Sequence, residues 1–194
     1  MCGFTGYLSQ SSIDPSSHSE SIIKEMTRRL IHRGPDSEGF WRDCDAGIVM
    51  GFRRLAILDV SSNGNQPMIS HSGQYVLVFN GEIYNHLALR REISSIKPNY
   101  QWLSSSDTET LLSGFELWGI EKTIQKCTGM FGFSVWCNKN KVLTLGRDRL
   151  GEKPVYYGWQ GAPHDEIFLF GSELKSFHNH PGFQKEINRD AVSS

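Results

Sequence analysis

The chain has 194 residues, enough for one sizeable domain with a substantial core. Lys and Arg total 20 against 21 Asp and Glu, a net charge of −1, and the basic pairs Arg28-Arg29, Arg53-Arg54 and Arg90-Arg91 are scattered, which argues against a nucleic-acid partner or a polybasic membrane patch. Apolar runs such as VLVF at 76–79 and IFLF at 167–170 fall far below the roughly 18 residues of a membrane span, and no signal-peptide pattern opens the chain, so the expected compartment is the cytoplasm.

Glycine is 19 of 194 residues, above the usual roughly 7 %, which favours tight turns and a strand-rich fold. Residues 3–8 (GFTGYL) read as a first strand, followed by a polar loop at 9–18 (SQSSIDPSSH). A helix is expected over 19–31, with Ile22, Ile23, Met26 and Leu30 on one stripe. Strands follow at 47–52 (GIVMGF) and 74–80 (GQYVLVFN), then helices at 85–95 and 107–118. The last carries Leu111, Leu112, Phe115 and Trp118 and opens on a capping box, Ser106 with Glu109. In 130–137, Phe131, Phe133, Val135 and Cys137 alternate with Met130, Gly132, Ser134 and Trp136, and CNKNK turns the chain into 141–146 as a hairpin, so Cys137 is a core residue. Strands at 154–159 and 166–171 complete seven. Helices cluster and strands pair locally without a βαβ rhythm, so the fold class is α+β with antiparallel sheets, and no internal repeat is visible.

Cys2, Cys44, Cys127 and Cys137 do not make a disulfide scaffold, and none stands in a zinc-type spacing, so no metal site is expected. His178 and His180, beside a Pro-Gly turn, read as surface residues. Cys2 follows the initiator methionine and is small enough for Met1 to be trimmed, which would leave a thiol and a free α-amine on one residue. An amine with pKa of about 7.7–8.0 can serve that thiol as general base, without a histidine. Taken alone, Cys2 reads first as simply the second residue of a strand, and only the rest of the chain moves it toward a nucleophile.

The segments MCGFTGYL, HRGPD (32–36), RLAILD (54–59), NGEIYNH (80–86), SSDTE (105–109) and GRDRLGEKPVYY (146–157) occur in this order. Together they resemble the class II glutamine amidotransferase domain, an N-terminal-nucleophile hydrolase, and most closely the glutaminase half of asparagine synthetase. The resemblance runs from Cys2 to FGSELKSF at 170–177, so residues 1–194 are expected to form one glutaminase domain. It implies a four-layer α/β/β/α sandwich with two antiparallel sheets, and a reaction that splits L-glutamine into glutamate and ammonia.

By the same resemblance, Cys2 is the nucleophile, and Asn80 with the Gly81 N–H forms the oxyanion hole. Read without it, Asn80-Gly81 also fits a turn. Arg54 receives the substrate α-carboxylate, Asp107 its α-ammonium, Glu82 lies beside the glutamine, and Leu55, Ala56, Ile57 and Leu58 line the pocket. Asp107 is equally well placed for the dipole at a helix start. Arg53 reads as a surface residue. Gly34-Pro35 and Gly151 shape loops, while Arg33, Asp36, Arg147 and Asp148 are expected to form buried ion pairs that brace the site.

No pyrophosphate-binding glycine loop of the SGGxDS kind occurs, so ATP and Mg are expected only in a C-terminal synthetase domain outside this chain, and no cofactor within it. A homodimer is compatible with the family. The alternatives are a glutaminase feeding a surface-polysaccharide sugar, and a non-catalytic glutamine-sensing module.

Overall fold

The computed structural model describes residues 1–10, 17–161 and 166–185. Most of the 9–18 loop and the closing INRDAVSS lie outside the described residues. Among the described residues, nine strands form two antiparallel sheets. β1 (Gly3–Ser9), β2 (Ser37–Asp43) and β3 (Ile48–Arg54) join β8 (Tyr156–Gln160) and β9 (Ile167–Gly171) in the order β2-β3-β1-β9-β8. β4 (Met68–Ile69), β5 (Tyr75–Ile83), β6 (Gly129–Cys137) and β7 (Val142–Arg147) make the second sheet in that order. Helix α1 (Ser17–Arg28) covers the first sheet, while α2 (His86–Ile96), α3 (Asp107–Trp118) and α4 (Ile120–Lys126) lie on the other side of the second.

Period-two alternation builds the four layers. On β5, Tyr75, Leu77 and Phe79 pack with Leu111, Leu112 and Phe115 of α3, and Phe131, Phe133, Val135 and Cys137 of β6 join them. Val76, Val78 and Trp136 point the other way and meet Phe4, Ile48, Met50, Phe52 and Phe170 between the sheets. A third cluster, with Tyr7, Val49, Ile23 and Met26, seals α1 to the first sheet. Gly51 lets that helix come close, since a Cβ there would stand 2.1 Å from Thr27 Oγ1. The four-layer expectation holds.

The element boundaries differ in instructive ways. β2 and β4 bring the strands to nine rather than seven: β2 is a half-exposed edge whose SEGFWRD carries three charges, and β4 has only two residues. The first helix is Ser17–Arg28, not 19–31, because Leu30 N–H bonds Thr27 O and Arg33 N–H bonds Leu30 O in successive turns ahead of Pro35. Gly119, with φ at 82°, stops α3 and starts the unexpected α4. The expected hairpin at 137–141 is present, with Lys141 N–H on Cys137 O. Only half of the capping box forms. Ser106 Oγ accepts Thr108 N–H, but Glu109 instead takes the N–H groups of Leu103 and Ser104.

Candidate active site

Four segments meet at one end of the sandwich: the start of β1, the end of β3 with the loop behind it, the middle of β5, and the first turn of α3. They line an open cavity of about 130 Å³. Cys2, Arg54, Asn80, Gly81, Glu82 and Asp107 all border it, as do Leu55, Ile57 and Leu58.

Cys2 Sγ lies 3.3 Å from the N–H of Leu55 and 3.5 Å from its carbonyl. Burial pushes the thiol above its ordinary pKa, partly offset by the Leu55 N–H and by the N-terminal ammonium charge. Met1 also borders the cavity, its Sδ 3.3 Å from Lys153 Nζ. Arg33 holds the backbone here, its Nε donating to Cys2 O at 2.8 Å and its Nη1 to Glu173 at 2.7 Å. Although burial opposes it, donation from Arg33, Lys175 and His32 keeps the Glu173 carboxylate at about 2.

Asn80 and Gly81 do not form a turn. They sit inside β5, opposite Gly132 and Phe131 of β6, because β5 runs on to Ile83. The side chain of Asn80 shares the inter-sheet face with Val76 and Val78. It is 2 % exposed, and its Nδ2 has no hydrogen-bond partner among the described residues. Gly81 is required because a Cβ would fall 2.4 Å from Met130 O.

The backbone of β5 adds a second donor. Phe131 N–H bonds Asp148 Oδ2 and Phe131 O accepts Asp148 N–H, so both groups face away from β5. Phe131 and Gly81 are thus a non-hydrogen-bonded pair, and the Gly81 N–H faces away from β6. Along that same edge, Gln66 covers Phe79, accepting its N–H at 2.6 Å and donating to its carbonyl at 3.2 Å. Asp107 Oδ2 covers Ile83, accepting its N–H at 2.9 Å. Between these two capped residues, Gly81 N–H opens on the cavity, beside the free amide of Asn80.

Arg54 is buried, with Nη1 donating to Ser61 O at 2.7 Å and Asn65 Oδ1 at 2.8 Å, and Nη2 to Asp59 O. Its Nε–H has no hydrogen-bond partner among the described residues. Across the cavity, burial raises Asp107 from 3.8 to about 6, against the N–H groups of Ile83 and Thr108. The two charges therefore stand ready for groups of opposite sign.

Residues 1–194 match the glutamine amidotransferase domain family. The chain belongs to that family. It is 40 % identical over 176 residues to asparagine synthetase [glutamine-hydrolyzing] 1 of Bacillus subtilis, covering 91 % of this chain and 26 % of that protein. Asparagine synthetase [glutamine-hydrolyzing] 3 of Arabidopsis thaliana is 36 % identical over 176 residues, covering 91 % and 28 %. The chain thus spans about a quarter of the length of these curated relatives. Among solved structures, glutamine phosphoribosylpyrophosphate amidotransferase from Bacillus subtilis, complexed with ADP and GMP, superposes with a TM-score of 0.73 at 18 % identity, covering 91 % of this chain and 43 % of that one. That likeness shows the fold alone. As a glutamine amidotransferase domain the chain is an enzyme unit, with release of ammonia from glutamine as its half-reaction.

Several supporting residues of this amidotransferase domain differ from expectation. Ala56 does not border the cavity; its N–H is held by Asp36 Oδ2 at 2.8 Å. Arg53 is no surface residue: it is buried, with Nε on Gly34 O at 2.8 Å and Nη1 on Glu38 at 2.7 Å. Of the four expected ion-pairing residues only Arg33 forms an ion pair among the described residues. Asp148 is satisfied by the N–H groups of Phe131, Leu150, Glu152 and Lys153, and Arg147 donates to the carbonyls of Lys153 and Gly151. His180 is half-buried against Tyr7, and burial lowers its pKa to about 4. Gln66, Asp59 and Lys153, all buried at the cavity wall, had no role read from the sequence: Asp59 and Lys153 stand within the RLAILD and GRDRLGEKPVYY motifs, whereas Gln66 lies outside every motif.

Proposed function

We propose that this chain hydrolyses L-glutamine to glutamate and ammonia with Cys2 as nucleophile once Met1 is removed, serving as the glutaminase half of a glutamine-dependent asparagine synthetase. The observation that carries the reading is the convergence of a half-buried thiol with two unpaired donors, Asn80 Nδ2 and Gly81 N–H, between a cation and an anion. A thiol raised by burial needs a base, and no histidine borders the cavity among the described residues. The Cys2 α-amine, freed by loss of Met1, fills that role.

It takes the thiol proton as Sγ bonds the side-chain carbonyl carbon of glutamine, and the oxygen becomes an oxyanion held by Asn80 and Gly81. Collapse breaks the carbon–nitrogen bond, with the amine's proton leaving on ammonia. Water then adds to the thioester under the same base, giving glutamate and restoring the thiol. Arg54 would grip the α-carboxylate and Asp107 the α-ammonium, with Glu82 alongside.

Its resemblance to asparagine synthetases [glutamine-hydrolyzing] about four times its length supports delivery of ammonia to aspartate by a further, C-terminal domain; ATP and Mg would belong to that domain. Four free cysteines suit the reducing cytosol. The test is glutamate and ammonia release from glutamine by Met1-free chain without ATP. Turnover lost in Cys2→Ala supports the reading. Saturable glutamine binding with no turnover would make this a sensing module instead.

A further inference from the structure

The loop behind β3 carries a buried carboxylate that the glutaminase reaction does not itself use. Asp59 Oδ1 accepts Ser61 N–H at 2.8 Å and Ser61 Oγ–H at 2.6 Å. Its other oxygen accepts Ser105 N–H at 2.8 Å and Ser105 Oγ–H at 3.2 Å, across 46 positions of sequence. The Asp59 backbone carbonyl, meanwhile, accepts Arg54 Nη2–H, and Ser61 O accepts Arg54 Nη1–H. One residue therefore touches the Arg54 guanidinium through its main chain and, through its side chain, the segment that leads into Asp107.

Ser105 lies two residues before Asp107, and Ser106 between them is the N-cap of α3. A shift of Ser105 is thus passed to the first turn of the helix. Gly64 closes the loop over the assembly, since a Cβ there would stand 2.3 Å from Arg54 Nη2 and 3.2 Å from Asp59 Cβ. Ser61 and Ser105 hold the Asp59 carboxylate at about 2, so it is ionised, and four donors converge on it throughout the neutral range.

We infer that Asp59 is a positioning residue that fixes the gap between Arg54 and Asp107, and so sets the preference for an α-amino acid amide over an amide lacking the α-ammonium. This rests on the proposed roles of Arg54 and Asp107 as the two grips on glutamine. Asp59→Asn retains the Ser61 side of the bridge but turns an amide NH₂ toward the Ser105 N–H, two donors face to face. Asp59→Glu keeps the charge and displaces it by one methylene.

The test measures kcat and KM for L-glutamine and for 4-carbamoylbutanoate, which lacks the α-ammonium, on Met1-free protein. Asp59→Asn is expected to raise KM for glutamine by about tenfold or more, to leave kcat within about threefold, and to move KM for 4-carbamoylbutanoate much less. Asp59→Glu should shift the same ratio in the same direction, and it carries the test alone if Asp59→Asn does not fold. Equal losses on both substrates, or a fall in kcat with KM unmoved, would make Asp59 a purely structural residue. Arg54→Ala and Asp107→Ala separate the two readings. If neither raises KM for glutamine, the grip falls and the spacing role with it; if both do and the Asp59 variants do not, only the spacing role falls.

Discussion

Asn80→Ala separates catalysis from stability. The Asn80 side chain is 2 % exposed, yet its Nδ2 spends both hydrogens on nothing among the described residues. A buried donor left unpaired costs about 1–3 kcal/mol, and removing it offsets much of the packing lost with the amide. Stability should therefore change by no more than about 1 kcal/mol, a shift in Tm of about 2–4 °C for a domain of this size. Activity should respond differently, because the donor acts when the carbonyl oxygen gains charge. Loss of one oxyanion donor typically lowers kcat about 10²–10³-fold, or about 2.7–4 kcal/mol, with little change in KM. Steady-state glutaminase kinetics and a thermal melt on the same preparation decide the matter. Asn80→Asp, nearly isosteric, presents an acceptor to the oxyanion and should lose at least as much. Unchanged kcat would remove Asn80 from the oxyanion hole, and a collapse of Tm together with kcat would mean the side chain holds β5 instead.

Other outcomes follow from the same geometry. Protein that retains Met1 should be inactive, as should Cys2→Ala; mass spectrometry paired with ammonia release checks this, and full activity with Met1 in place would overturn the amine-as-base mechanism. Because burial raises Asp107 to about 6, protonation below that value should weaken glutamine binding, so KM should climb as pH falls through about 6, and Asp107→Asn should erase that limb. Asp107 has the higher pKa in the folded state, so its ionisation opposes folding as pH rises from 3.8 to about 6. Asp107→Asn should accordingly stabilise the domain at pH 7 in urea unfolding, a gain that fades as pH falls back through that window. Arg53→Ala should cost about 1–3 kcal/mol in the same assay, since it unmakes the bonds to Gly34 O and Glu38; a neutral result would restore the surface reading.

The sequence made the layers readable because Phe131, Phe133, Val135 and Cys137 alternate strictly, and so do Tyr75, Leu77 and Phe79. It failed where position in the sheet, rather than composition, decides burial. SEGFWRD is a half-exposed edge strand with Glu38 and Arg42 exposed, so its pattern is muted. Arg53 and Arg54 are identical in type and adjacent, and only the strand's two faces distinguish their partners. The site motifs were visible as motifs, but not the mid-strand placement of Asn80-Gly81, because an Asn-Gly pair alone favours a turn. Nor could spacing reveal that Gln66 and Asp107 cap the residues on either side of Gly81. Those contacts join positions 13 and 24 residues apart, and they exist only once β5 has met the loop before β4 and the start of α3.

The placement of Asn80 and Gly81 inside β5 has a consequence for native-state hydrogen exchange. The Asn80 N–H lies in the hydrogen-bonded pair with Gly132 inside the second sheet, so it should open only with the whole domain and report its global unfolding free energy, whereas the unbonded Gly81 N–H on the cavity should exchange without that opening. The loop at 55–65 is different, with Ile57 73 % and Val60 82 % exposed and with side-chain bonds as its principal anchors. Its amides should exchange through sub-global openings that leave the sandwich closed. On the proposed mechanism, the oxyanion side of the cavity would then open with the whole domain, and the 55–65 wall well before it.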